Sequence, residues 1–292
     1  MSPAMRAGLF GLLAAFFWGT HSVIVRALTA DLHGMTIAVL RLYIAAAALY
    51  LILRIGKYRV RFDFTDRAFL ITCVGAATNY IFFHWGLEYT GASNAMMLEN
   101  TAPFFVLVLL FVMGQRRTVA ELVATVIAVA GVVLTVQHDM VLNTGGVRGD
   151  VLEILAGVTW AVFIIGSAKA LSTTNSTLER ISFLFRVFVV AAVVLTPFAF
   201  LEGEAIATVT MRDGVLLLLL GIFPTAVAYF LWYEAAARVS TVTSALLFTL
   251  SIIFTFINAA LFLGEDITLG MSVGAALIVA GVIISKLGSK GA

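Results

Sequence analysis

Ten apolar runs of about 20 residues each fill most of the chain, and this feature restricts the fold more than any motif. They lie near 7–27, 35–53, 68–87, 92–113, 119–137, 150–169, 178–201, 212–233, 240–263 and 267–285. A helix of about 20 residues covers about 30 Å, the thickness of bilayer hydrocarbon. Inside lipid every backbone N–H and C=O needs a partner within the protein, which leaves the α-helix as the form for each run. A water-soluble alternative fails on composition. Hydrophobic residues make up 62% of the 292 and charged residues 12%, whereas soluble proteins carry about 25% charged residues. The connections are too short for an aqueous domain, so function must reside among the helices. The expected fold is an all-α polytopic membrane protein with ten transmembrane helices.

Two connections are longer, 54–67 and 138–149. The second contains Asn143-Thr144-Gly145-Gly146, a turn-forming cluster, and divides the chain into 1–137 and 150–292. Basic residues set the orientation, because Lys and Arg accumulate on the cytoplasmic side. The side of the N-terminus carries Arg6, Arg54, Lys57, Arg59, Arg61, Arg67, Arg116, Arg117, Lys169, Arg238, Lys286 and Lys290. The other side carries Arg26, Arg148 and Arg212. Both termini are therefore expected in the cytoplasm of a bacterial-type inner membrane. The first run lacks a small-residue cleavage site and reads as a retained span. Cys73 is the single cysteine, so an intrachain disulfide is excluded.

The two parts of the chain resemble each other. Residues 86–134 lie on 236–284 at an offset of 150, with Ala95 on Ala245, Phe104 on Phe254, Gly114 on Gly264 and Thr118 on Thr268. Val129-Ala130-Gly131-Val132 falls on Val279-Ala280-Gly281-Val282. Leu13, Ala14 and Trp18 fall on Leu155, Ala156 and Trp160 at an offset of 142, and Arg41 falls on Arg186 at 145. The unit holds five spans. Five is odd, so the second copy enters the membrane from the opposite side. Two inverted five-helix repeats are a signature of secondary transporters, whose substrates bind near the midplane between the halves. Exchanging the conformations of the two copies moves the opening from one side to the other.

Polar groups within the spans are the functional candidates, since each is costly in lipid. In the ninth span Thr241, Ser244, Phe248, Ser251, Thr255 and Asn258 recur at spacings of 3 and 4, one face of a helix. That face lines a cavity or packs with each hydroxyl on its own helix carbonyl. Glu99, beside Asn100, lies about 10 to 12 Å along the fourth span. It suits a substrate ammonium group or a coupling proton, with a structural acid as the alternative. Pro103 follows one turn on. Tyr80 and His84 share a face of the third span, where His84 can donate to a substrate carboxylate or serve at the membrane interface. Trp18 and Trp160 offer stacking surfaces or packing, and His21 lies one turn from Trp18. Arg41 and Arg186, being repeated, are expected to hold structure near the membrane faces, with substrate-carboxylate binding as the alternative. No phosphate-binding glycine loop, metal cluster or nucleophile elbow is present in the sequence. No catalytic residue, metal or cofactor is therefore expected, and because the basic residues form no broad patch outside the membrane no nucleic-acid partner is expected.

The segments FFWGTHSVIVRAL, VLRLYIAAA, EYTGASNAMML and AGVVLTV resemble the EamA-type branch of the drug/metabolite transporter superfamily. So do WAVFIIGSAKAL, LGEDITLG and VGAALIVAGVII in the second half. Two departures mark asymmetry: Gly114-Gln115-Arg116 stands opposite Gly264-Glu265-Asp266, and Pro103 stands opposite Ile253. The resemblance implies export of small metabolites, with amino-acid exporters of the YddG type prominent. Neutral and aromatic amino acids are the expected substrates, and the lipid bilayer the expected surrounding of a monomer. Proton coupling stays open. The expected substrate-binding residues are Trp18, His21, Tyr80, His84, Glu99, Asn100, Trp160, Ser244, Phe248 and Ser251. The alternatives are a proton-coupled exporter of cationic drugs, a nucleotide-sugar or sugar-phosphate carrier and, from a different class, a membrane enzyme or passive channel.

Overall fold

The computed structural model describes residues 3–29, 31–89, 95, 98–142, 147–202, 209–263 and 267–288. Among these residues the chain is helical and contains no strand. The helices are α1 (Pro3–Leu28), α2 (Gly34–Ile55), α3 (Arg67–Tyr89), α4 (Ala102–Val112), α5 (Val119–Leu142), α6 (Val147–Leu171) and α7 (Thr177–Leu201). They continue with α8 (Met211–Ala236), α9 (Thr241–Leu263) and α10 (Leu269–Gly288).

Among the described residues, eight helices are long and apolar enough to cross a membrane. The other two, α4 and α5, are shorter as apolar stretches, at Ala102–Val112 and Val119–Leu134. The start of the fourth run falls largely on 92–94, 96 and 97, outside the described residues. The expected 138–149 connection is narrower than its sequence suggests. Residues 138–142 extend α5 and 147–149 open α6, and the turn cluster at 143–146 lies outside the described residues. Apolar flanks let both helices run past the polar edges of that cluster.

Two prolines reshape their spans. Leu98 and Glu99 are helical, the backbone turns at Asn100 and Thr101, and a helix restarts with Pro103 in its first turn. The Leu98 carbonyl accepts from the Thr101 hydroxyl at 2.5 Å and from its N–H at 3.3 Å. The interruption thus keeps its backbone paired, as lipid requires. In α8, Pro224 sits in a π-helical segment, Gly221–Val227. There the Thr225 hydroxyl donates to the Leu220 carbonyl at 2.8 Å, satisfying an acceptor in the widened turn.

The bundle is built from pairs α3/α6, α5/α10, α1/α9, α2/α7 and α1/α8, with α4 against α6 and α8 against α2. Close approach, not a hydrophobic drive, holds helices together in lipid. On α3/α6, a Cβ at Gly75 would meet the Phe163 backbone nitrogen at 2.5 Å, and one at Gly166 would meet the Thr72 nitrogen at 2.9 Å. The contact of α3 with α6 therefore depends on glycine at both positions. The 56–66 connection rests on α7, where Arg186 Nη1 donates to the Arg61 carbonyl at 3.1 Å. In this connection Asp63 accepts from the Thr65 hydroxyl at 2.6 Å and its N–H at 2.9 Å. These bonds hold its carboxyl below the usual carboxylate range.

Candidate functional site

A cavity enclosing about 660 Å³ of empty space, its mouth included, lies between α1, α2, α3, α6, α8 and α9 and the break before α4. Its floor is aromatic. Trp18, Trp160, Tyr229 and Phe248 come from four different helices, and Trp18 meets Tyr229 and Phe248 edge-on at centroid distances of 5.3 Å. Trp160 meets Phe248 at 5.0 Å and stacks on Phe163 at 4.6 Å. The indole N–H of Trp160 is buried without a hydrogen-bond partner. An orphaned donor at a cavity wall is a position for an acceptor on a bound molecule or water.

The walls are polar and carry both signs of charge. Glu99 accepts from Asn79 Nδ2 at 3.2 Å. Arg41 is 7% exposed, donates to His21 Nε2, and lies 4.8 Å from the Tyr80 ring centroid. Its Nε has no partner. Arg41 and Glu99 border the same cavity. Ser251 and Thr255 face the same space from α9, and Pro224 and Phe83 complete it. Beyond the aromatic floor the bundle is closed by buried polar contacts. Glu234 holds Arg180 at 2.5 Å and Arg238 at 2.8 Å. Tyr233 meets Ser167 at 3.0 Å, Ser240 donates to Glu121 at 2.7 Å, and Thr243 meets Ser285 at 2.7 Å.

Eight of the expected residues line this cavity: Trp18, His21, Tyr80, Glu99, Asn100, Trp160, Phe248 and Ser251. Two stand outside its lining. His84 stacks behind Tyr80 at 5.9 Å, with Nδ1 donating to the Tyr80 carbonyl at 2.9 Å. Ser244 donates to its own helix, to the Thr241 carbonyl at 2.8 Å, while its backbone carbonyl accepts from Trp232 Nε1 at 2.9 Å. The α9 stripe is thus divided: its middle faces the cavity and its first turns pack. Arg41 also differs from expectation, because it borders the cavity while Arg186 lies on the 56–66 connection. Asn79 and Tyr229 were not singled out in the sequence. They stand opposite each other at the offset of 150, but as unlike residues they give no repeat signal, and only the packing of the helices brings them to the cavity.

The EamA-like transporter family matches the chain twice, over residues 5–137 and 147–287. A transporter from Archaeoglobus fulgidus, described as uncharacterized, is 31% identical over 72% of this chain and 72% of its own length. A probable amino-acid metabolite efflux pump from Escherichia coli is 25% identical over 97% of this chain and 95% of its own. A protein of known crystal structure superimposes over 98% of both chains with a TM-score of 0.80 at 17% identity, a likeness of fold alone. The family runs through both halves and its relatives are transporters. The chain therefore belongs to the EamA-like transporter family and is a multi-pass membrane transporter, not an enzyme.

Proposed function

We propose that the protein exports neutral amino acids, aromatic ones included, by alternating access across the cytoplasmic membrane. The observation that carries this reading is the pairing of Glu99 and Arg41 in one cavity above an aromatic floor. A zwitterion needs a partner for each charge. Glu99 suits the ammonium group, Arg41 and the free Trp160 N–H suit the carboxylate, and Trp18, Trp160, Tyr229 and Phe248 suit an apolar side chain. The name of the Escherichia coli relative supports the same substrate class. His84 and Ser244 then act as packing for the site.

The transport cycle rests on ten spans arranged as two inverted halves, 1–137 and 150–292, joined near 143–146. Support comes from the packing. Replacing each helix by the one five places along turns α1/α8 into α6/α3, α1/α9 into α6/α4 and α2/α8 into α7/α3, and leaves α2/α7 and α5/α10 unchanged; all of these pairs occur. The distribution of Lys and Arg favours cytoplasmic termini. The enclosed cavity within one chain suits a monomer.

Cationic drugs fit less well, because Arg41 borders the same cavity as Glu99. Sugar phosphates would need a basic cavity, and Arg186 is engaged elsewhere. The test is uptake and counterflow in proteoliposomes for amino acids, amines and sugars, with and without a pH gradient. Trans-stimulated exchange of leucine and phenylalanine is expected. Folded protein that exchanges neither amino acid would sink the reading.

A further inference from the structure

Outside the cavity lining lies a carboxyl group that the transport reading does not use. Glu153 on α6 is 0% exposed, and among the described residues neither carboxyl oxygen has a hydrogen-bond partner. The helix opposite is shaped around it. A Cβ on Gly86 of α3 would stand 2.4 Å from Glu153 Oε1, so the carboxyl lies directly against this glycine and a larger residue there would displace it. One turn further along α6, the Ala156 carbonyl accepts from Asn79 Nδ2 at 3.0 Å. The same amide donates to Glu99 at the cavity. Asn79 and Gly86 are seven apart and share a face of α3, and on α6 Glu153 lies one turn from Asp150 and one turn from Ala156. Asp150, Glu153 and Glu99 therefore follow one another from the start of α6 to the cavity wall.

The ionisable groups that act on Glu153 are Glu99 and Asp150, both acids. Arg148, the nearest base in the sequence, is turned onto the Tyr89 ring at 4.3 Å. Asn79, Gly86 and Tyr89, from the opposing helix, bring no cation. An ionised carboxyl without a hydrogen bond or counter-charge is strongly disfavoured in such a place. A protonated one costs far less.

We propose that Glu153 is a proton-binding site, and that Asp150, Glu153 and Glu99 form a proton path between the end of the bundle at 147–150 and the cavity. The proton leaves the Glu153 carboxyl for the Glu99 carboxylate through water that enters when the helices move. One carboxylate remains one carboxylate, and Glu153 is reprotonated from Asp150 or bulk water. The site deepens the transport reading and rests on it: protonating Glu99 removes the charge that holds a substrate ammonium group, so proton entry drives release.

The test uses the full chain in proteoliposomes, with phenylalanine and leucine as probes. With one proton per substrate, a gradient of one pH unit supports up to about tenfold accumulation. Glu153→Gln should abolish this accumulation and leave gradient-free counterflow in place, and Glu153→Asp should restore part of the response. Infrared spectroscopy reads the site without substrate. A protonated-carboxyl band at neutral pH should be present in the wild type and lost in Glu153→Gln. Wild-type counterflow that ignores a pH gradient would overturn the proton path and leave the transport reading standing. Absence of wild-type counterflow would strike the transport reading instead. An unchanged infrared band in Glu153→Gln would overturn the proton site whatever the transport result, and in wild-type protein so would the absence of any such band.

Discussion

Glu234→Gln is the sharpest perturbation of the closed end of the bundle. Glu234 neutralises Arg180 and Arg238, and the side chains of Glu234, Arg180 and Arg238 are 5%, 10% and 25% exposed. Glutamine keeps the shape and removes the charge. Arg180 is then left buried without its counter-charge, a change that costs about 3 kcal/mol or more. Arg238 is wetter and adds little. In an alternating-access cycle the cost falls on the closed form alone, because opening lets water reach both arginines. A difference of about 3 kcal/mol shifts the closed-to-open ratio by about 150-fold. Ser167 reports the change, since it is 0% exposed and bonded to Tyr233 beneath the aromatic floor. In a Cys73→Ala background, Ser167→Cys should react slowly with an impermeant maleimide applied from the side of the Arg180 end. Adding Glu234→Gln should raise the rate steeply. Thermal destabilisation with no gain in labelling would assign the triad to structure only and refute its part in closure.

Three further outcomes are expected. Cysteines at Ser251 and Thr255 should react with a soluble thiol reagent through the cavity, whereas those at Ser244 and Leu246, 1% and 0% exposed, should not; equal reactivity would reject the division of the α9 stripe. Trp160→Phe keeps the stack on Phe163 and removes the free N–H, so substrate affinity should fall by about tenfold, the worth of a hydrogen bond to a charged group; unchanged affinity in a binding titration would remove the indole from the site. Thr225→Val leaves the Leu220 carbonyl short of its hydroxyl partner beside Pro224, and should cost about 1–3 kcal/mol in detergent-solubilised stability, with Thr225→Ser near wild type.

The site was partly legible from sequence, and the residues show where reading stopped. Trp18 and Trp160 were found because the repeat aligns them, and both line the cavity. Phe248 and Ser251 were found by helical period, but the same period put Ser244 on their face. Period gives a face and leaves open which neighbour covers each part of it: the cavity covers the middle of α9, and Trp232 of α8 covers Ser244. Arg41 and Arg186 are equivalent in the repeat yet meet different surroundings, His21 and Tyr80 for one and the 56–66 connection for the other.

By itself the sequence determined that the chain is helical, membrane-spanning and internally repeated, because lipid demands about 20 apolar residues per span and a paired backbone throughout. Those demands are local and can be read along the chain. Tertiary structure alone decided that Arg41 and Glu99 share one cavity, that His84 stands behind it, and that Glu153 lies buried against Gly86 without a partner. Whether a polar group in a membrane helix meets a partner, a cavity or nothing depends on the helix packed beside it, and spacing along the chain does not name that neighbour.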